Sequence, residues 1–464
     1  MAIATSQSSD WVRPDEIRRL SRSLGETDAD LARRLDAYAR FLALPIEPDP
    51  LYRGYGYFTN VDLSGLEASA AGAGVRLPPP AHGLVRVVHD GAGTHATVPA
   101  ELSEQGVRVT SPLRGPKGPS PVSRGEVAET SEPADRLSAL STALQNRGYL
   151  LEVPDGLRAP IRVQDVTVLS QPHEALSVRR VIRGGSASQL LVTEEVYSTS
   201  DAHEGQRLYA STSELALSAN AKALYLTLHA PDLRTVSIYQ RSATTGPASR
   251  LGWIWAGLGG FRSKARNRTR LVGQGSVVDD LQLFYGSGDQ SYDSAVHLTH
   301  EGTDTHGQSI TRGVFTDRAR GMSRGLVRIE KDAAKTLSFI SEHAMLLSRG
   351  ARSDTIPILE ILCRDVKATH STSVHPVDPE QVFYLESRGI PEPDAVRMIG
   401  EGFLSYVLDR APVASLREIV YPYLEARWGG QGLPWAPDGS RLLPELHVTG
   451  TEASPEWRFD TKLR

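Results

Sequence analysis

Gln189-Leu-Leu-Val-Thr-Glu-Glu-Val-Tyr197, Ala223-Leu-Tyr-Leu-Thr-Leu-His229, Thr235-Val-Ser-Ile-Tyr-Gln240 and Gly325-Leu-Val-Arg-Ile-Glu330 are short runs rich in β-branched and aromatic residues. Gly, Asn, Asp and Pro turns separate them, and from Tyr149 to about Asp365 almost nothing has the period of an amphipathic helix. Some two hundred residues of short strands can close as a sandwich or barrel, or wind as a solenoid, and spacing alone does not choose between them. The irregular spacing and the lack of Asn-Gly hairpin pairs between the runs favour a β-solenoid.

Working outward, helical spacing appears on both sides. Ile17, Leu20, Leu24, Leu31, Leu35, Tyr38, Phe41 and Leu42 predict one or two N-terminal helices, stopped by Pro45, Pro48 and Pro50. Gly83 to Asp90 alternates as a strand, Ser111 to Pro133 reads as a mobile Pro/Gly/Ser-rich loop, and Asp135 to Arg147 returns to helical spacing. After His375 the period predicts helices over Asp378–Ser387, Glu392–Leu408 and Ser415–Trp428, with Gly389 and Pro391 at a helix end and restart. The expected division is 1–148, helical and mixed; 149–375, the β-helix core; 376–428, C-terminal helices; and 429–464, an irregular tail.

The bulk properties exclude several classes. A chain of 464 residues, 40% hydrophobic, can bury a large core, and its formal net charge of -4 offers no basic field for nucleic acid or anionic lipid. The polar start from Met1 to Asp10 lacks the pattern of a signal peptide, and no segment approaches the ~18 uninterrupted apolar residues of a membrane span, so the expectation is a cytoplasmic protein with no membrane partner. One cysteine, Cys363, excludes an internal disulfide and an all-cysteine metal or cluster site from this chain alone. No Gly-x-x-x-x-Gly-Lys-Ser/Thr phosphate loop occurs, so ATP hydrolysis would have to come from a partner.

Four segments, Gly325-Leu-Val-Arg-Ile-Glu-Lys-Asp-Ala333, Leu346 through Ile361, Asp365-Val-Lys-Ala-Thr-His370 and Glu380-Gln-Val-Phe-Tyr-Leu-Glu-Ser-Arg-Gly-Ile390, resemble the SufB/SufD family in order and spacing. The resemblance covers most of residues 14–428 and is closer to SufD, because Ser341-Glu-His-Ala-Met-Leu346 stands where SufB carries its sulfur-accepting cysteine. It implies a mainly β fold, a right-handed parallel β-helix flanked by N-terminal and C-terminal helical regions. It also implies a non-catalytic scaffold for iron–sulfur cluster assembly, paired with a SufB-type subunit or a second copy of itself and driven by a SufC-type ABC ATPase. Any cluster would be transient and shared with the partner subunit, none being held stably by this chain. A divergent paralogue in a specialised sulfur, metallocentre or natural-product pathway is the alternative, since Ala368 replaces the cysteine usual in SufD and Ser371 the following Gly or Glu.

Under the resemblance, His370 falls where the family keeps a histidine near the subunit interface, so it is either an iron ligand or proton carrier, or a surface histidine on the last coil. Glu342 and His343 offer oxygen and nitrogen, but neighbours along a strand face opposite ways and cannot easily serve one ion. Cys363, inside Ile358-Leu-Glu-Ile-Leu-Cys363, is a reactive thiol or a buried inert one. Phe383, Tyr384, Arg388 and Gly389 are the expected partner-binding residues of the C-terminal helices. His297, His300 and His306 look like a metal cluster but are expected to be structural, in a turn between coils; Lys331, Asp332 and Lys335 read as turn charges, and Trp253 and Trp255 as core on one strand face. A β-helical lyase or glycosidase would need paired carboxylates, for which Asp279 and Asp280 are the conspicuous acidic pair.

Overall fold

The computed structural model describes residues 11–47, 61–68, 74–110, 135–157, 159–199, 205–411, 413, 416–430 and 442–443. The expected loop from Ser111 to Pro133, the first ten residues and nearly all of the expected tail lie outside these. In chain order come helices α1 (Pro14–Ser23) and α2 (Asp28–Ala43), strands β1 (Leu84–Asp90) and β2 (Gly93–Thr97), helix α3 (Ala100–Glu104), strand β3 (Arg108–Thr110) and helix α4 (Arg136–Ala143). Strands then follow without a helix: β4 (Arg147–Val153), β5 (Ile161–Leu169), β6 (Ala175–Gly184), β7 (Gln189–Ser198), β8 (Arg207–Leu217), β9 (Lys222–His229), β10 (Thr235–Thr245) and β11 (Arg250–Gly257). They continue as β12 (Arg262–Leu271), β13 (Val277–Gly286), β14 (Ser291–His300), β15 (His306–Phe315), β16 (Arg320–Ile329), β17 (Thr336–Leu346), β18 (Arg352–Ile361) and β19 (Val366–Pro376). Helices α5 (Pro379–Glu386), α6 (Glu392–Leu408) and α7 (Leu416–Trp428) close the order.

From β4 onward each strand skips its successor and pairs in parallel with the next but one, which is the connectivity of a solenoid and excludes two antiparallel sheets. One face is a ten-stranded sheet, β19-β17-β15-β13-β11-β9-β7-β5-β1-β2, and the other a nine-stranded sheet, β18-β16-β14-β12-β10-β8-β6-β4-β3. Ile161, Leu190, Ala223, Leu251, Val278, Gly307, Ser338 and Ala368 stack as register partners, so one coil takes about thirty residues.

The corners explain the turn chemistry. Ala187, Asn220, Ala248, Gly275, Asp304 and Lys335 all have φ between 52° and 69°, the left-handed region, at the same corner of successive coils. Each donates its backbone N–H to a carbonyl of the next coil's turn, Asn220 to Pro247 at 2.8 Å and Lys335 to Asp365 at 2.7 Å among them. The ladder of corner bonds offsets the strain of the non-glycine positions and fixes the coil spacing.

Both sheets are covered outside as well as inside. Against the nine-stranded sheet lie α1, α2 and α4, whose Ile17, Phe41, Leu137 and Leu140 pack with Leu208, Ala210, Val236 and Ile238. Thr27 and Asp135 begin α2 and α4 with capping boxes. Glu47 follows α2 and pairs with Lys264 and Arg324 on β12 and β16, pinning this layer down. Against the ten-stranded sheet lie α6 and α7, with Leu404, Val407, Leu416 and Tyr423 packed over Leu226, Ile254, Leu283 and Ile310. Strands buried on both faces read as continuous rather than alternating runs; β13 is buried at every position.

Candidate functional site

The C-terminal end of the solenoid breaks this pattern. Burial falls from complete in β13 to mostly intermediate in β18 and mostly exposed in β19, the last strands of their two sheets among the described residues. An edge strand presents unpaired N–H and C=O groups to whatever chain can add to it. Apolar side chains accompany them: Ile361, Leu362 and Val374 are each more than a third exposed.

His370 sits on this end in register with Ile340 of β17 and is exposed. Thr372 lies in register with Glu342, so His370 and Glu342 share the inward face of neighbouring strands, one step apart diagonally. Glu342 is 3% exposed, one carboxyl oxygen lacks a hydrogen-bond partner, and burial pushes its pKa up to about 8 against the pull of Arg324. Gly325 leaves room beside it, since a Cβ there would lie 2.7 Å from Ile340 and 3.4 Å from the Glu342 carboxyl. His343 faces outward, Nδ1 at 2.5 Å from Ser373 Oγ and Nε2 at 3.4 Å from Ser371 Oγ. The opposed directions of Glu342 and His343 follow from the strand period.

Cys363 lies in the turn between β18 and β19, half-buried against the cluster of Val327, Ile329 and Ile340, with Leu359, Val366 and Ala368 beside it. No three His, Cys, Asp or Glu side chains among the described residues are grouped to hold a metal ion. His297 and His300 belong to β14 and His306 to β15, so the turn is confined to the residues between them. His300 bonds Thr305 and Ser338 at a buried corner and burial pushes its pKa down to about 3, whereas half-buried His297 is held down to about 4 by burial and the arginines near it. Asp280 and Asp279 also diverge: Asp280 bonds Gln282 and Asn267, Asp279 bonds Gln308, and burial raises them to about 6 and about 7. Each carboxyl is bonded to its own amide donors, and the two face opposite ways along the strand.

The second exposed feature is α5. Phe383 and Tyr384 are 70% and 58% exposed, while Val382 is the buried residue that seats the helix. Arg388 lies 5.1 Å from the Tyr384 ring centroid and donates to its hydroxyl at 3.3 Å. Gly389 takes φ 86° to end the helix, its N–H donating to Glu386 O at 2.9 Å, and Pro391 then caps α6. The four residues expected for partner binding thus form one structural unit, two aromatics offered to solvent and two that shape the turn behind them.

Sequence reasoning missed a buried polar interior. Register partners Asp165, Glu194, Thr227, Trp255, Gln282, Thr311, Glu342 and Thr372 form an inward column through the coils. Arg180, fully buried, reaches both oxygens of Asp165 at 2.5 and 2.9 Å and lies 3.3 Å from Glu194. Glu194 also accepts from Tyr209, Ser211, Tyr225 and Thr227. Burial alone would raise the Asp165 pKa, but Arg180 and His89 together bring it below the usual carboxylate range. Trp253 and Trp255 are core on one strand face as expected, with Arg241 packed against both rings.

The architecture defines a class: a parallel β-solenoid sheathed by helices at its sides, open at the last coil, with an aromatic C-terminal helix beside the opening. Residues 167–403, just over half the chain, match the family model described as SUF system FeS cluster assembly, SufBD core domain. The chain belongs to the SufBD family. It is 28% identical over 344 residues to the iron–sulfur cluster assembly protein SufD of Bacillus subtilis, covering 74% of this chain and 78% of that one. A SufBD family protein of Synechocystis is 25% identical over 346 residues, 71% and 70% of the two chains. Another from Staphylococcus saprophyticus is 24% identical over 283 residues, and the match spans 60% of each chain. No helix among the described residues is long and apolar enough to cross a membrane.

Proposed function

We propose that this chain is a SufD-like, non-catalytic scaffold subunit that holds one wall of an iron–sulfur cluster assembly site. Its open end joins a cysteine-bearing SufB-type subunit, and α5 and α6 dock a SufC-type ATPase whose nucleotide cycle moves the pair. The cluster is cargo, shared across the joint, with thiolates from the partner and His370 as a ligand or proton carrier from this side. Glu342 and Cys363 stand behind His370 as weaker candidates, Glu342 because it is sunk in the coil and Cys363 because its thiol packs into the apolar cluster.

One observation carries this reading: the solenoid ends on exposed β-strands that bear His370 and an apolar rim. Anaerobic co-expression with the SufB-type and SufC-type proteins of the same genome tests it. A three-component complex is expected, with iron and sulfide bound by the wild type and reduced severalfold in His370→Ala. Isolation of this chain alone from cells that contain both proteins would contradict it.

A further inference from the structure

Beside the open end, on the outer face of the ten-stranded sheet, Arg312 and His343 have no carboxylate partner among the described residues. Arg312, His343 and Ser373 are register partners on β15, β17 and β19 and lie one above another. Helix α6 closes over them: the Arg312 guanidinium carbon lies 4.4 Å from the Tyr406 ring centroid and 5.3 Å from that of Phe403. His375 packs edge-on against Phe403 at 6.0 Å. Arg410 lies 4.3 Å from the Tyr406 centroid and donates to its hydroxyl at 2.7 Å.

A guanidinium held between aromatic faces keeps its N–H edge free for in-plane hydrogen bonds. On that edge Nη1 of Arg312 is buried and has no hydrogen-bond partner among the described residues. No carboxylate pairs with Arg312, His343 or His375 among those residues, and the acid that does feel this group, Asp279, does so through Arg410. Burial and the neighbouring cations accordingly push Arg312 down to about 10 and His343 down to about 4. A buried guanidinium N–H without an acceptor is unfavourable, and an anion would relieve it.

We infer that the outer face of β15, β17 and β19 beside α6 binds a small tetrahedral oxyanion, phosphate or sulfate, through the Arg312 guanidinium and the Ser371 and Ser373 hydroxyls, which His343 orients. The donors suit that class: the guanidinium edge approaches from one strand, and the two hydroxyls from a strand two coils' width away, with the imidazole bridging between them. When His343 is protonated it donates to both serines, and both hydroxyl protons turn toward the ligand. Exposed Ser371 and His375 give the site its opening to solvent.

Thermal unfolding and histidine NMR with added inorganic phosphate test the site. The full chain is expected to show a saturable rise in melting midpoint, roughly 1–3 °C at tenfold excess over Kd, and a rise in the His343 pKa. Arg312→Gln is expected to melt no lower than wild type without phosphate, because it removes an uncompensated cation, and to lose both responses. Ser371→Ala with Ser373→Ala, a second route should Arg312→Gln fail to fold, is expected to weaken phosphate binding severalfold. An equal phosphate increment in the variants, a flat His343 titration, or an equal response to acetate would overturn the inference.

Discussion

Glu342 is where burial and charge conflict most sharply, and the conflict is measurable. Its carboxyl titrates near 4.5 when unfolded and near 8 when folded, so the folded state holds the proton more tightly. Whatever stability this gives is complete below about pH 4.5 and is lost as pH rises through about 8. Glu342→Gln should therefore match wild type near pH 5 and exceed it at pH 9 by on the order of 2–4 kcal/mol in denaturant unfolding, and parallel pH profiles would refute the assignment. Arg180 tests the interior column in the opposite sense. Arg180→Leu strands Asp165 and Glu194 without their shared cation and should lower unfolding stability by about 3–5 kcal/mol. A loss under about 1 kcal/mol would show that Asp165 is held by His89 alone.

At the scale of elements, α5 separates binding from stability. Phe383 and Tyr384 are mostly in solvent, so Phe383→Ala with Tyr384→Ala should change unfolding stability by less than about 1 kcal/mol while weakening ATPase capture at least tenfold in pull-down titrations. Gly389→Ala should act the other way round, costing about 1 kcal/mol through its φ of 86° with no side-chain clash, since nothing lies within 4 Å of the added Cβ. These helices were legible in the sequence. The apolar spacing predicts Glu392–Leu408, the observed span of α6, because one buried stripe and one wet face leave a clear 3.6 period. The β-strands were legible as strands but not in their facing, because helices cover the outside and the inside is packed too. Glu194 and Glu195 show the difficulty: adjacent, both buried, one aimed into the column and the other accepting from Leu443 N–H at 2.9 Å on the outer face. The available signal was long-range, polar residues recurring one coil apart from Asp165 onward, and it has meaning only once the coil length is known.

For the molecule as a whole, the sequence indicated strands between helical flanks, and the parallel skip-one pairing turns that list into a solenoid with two unlike ends. At the first coils, β2 and β3 pair antiparallel with β1 and β4 and blunt the sheet edges. At the last coil nothing comparable is present among the described residues, and β18 and β19 stand exposed. His370 could be placed near that end from the SufB/SufD resemblance, whereas the Arg312 site could not, because its members come from β15, β17, β19 and α6 and are adjacent only after folding. On the function proposed above, another subunit completes the last coil. Amide hydrogen exchange over residues 352–376, measured for the chain alone and mixed with a SufB-type protein, tests it most directly. Fast exchange in β19 alone and at least tenfold slowing in the complex are expected; unchanged exchange there, with protection appearing elsewhere, would contradict a subunit joint at the last coil.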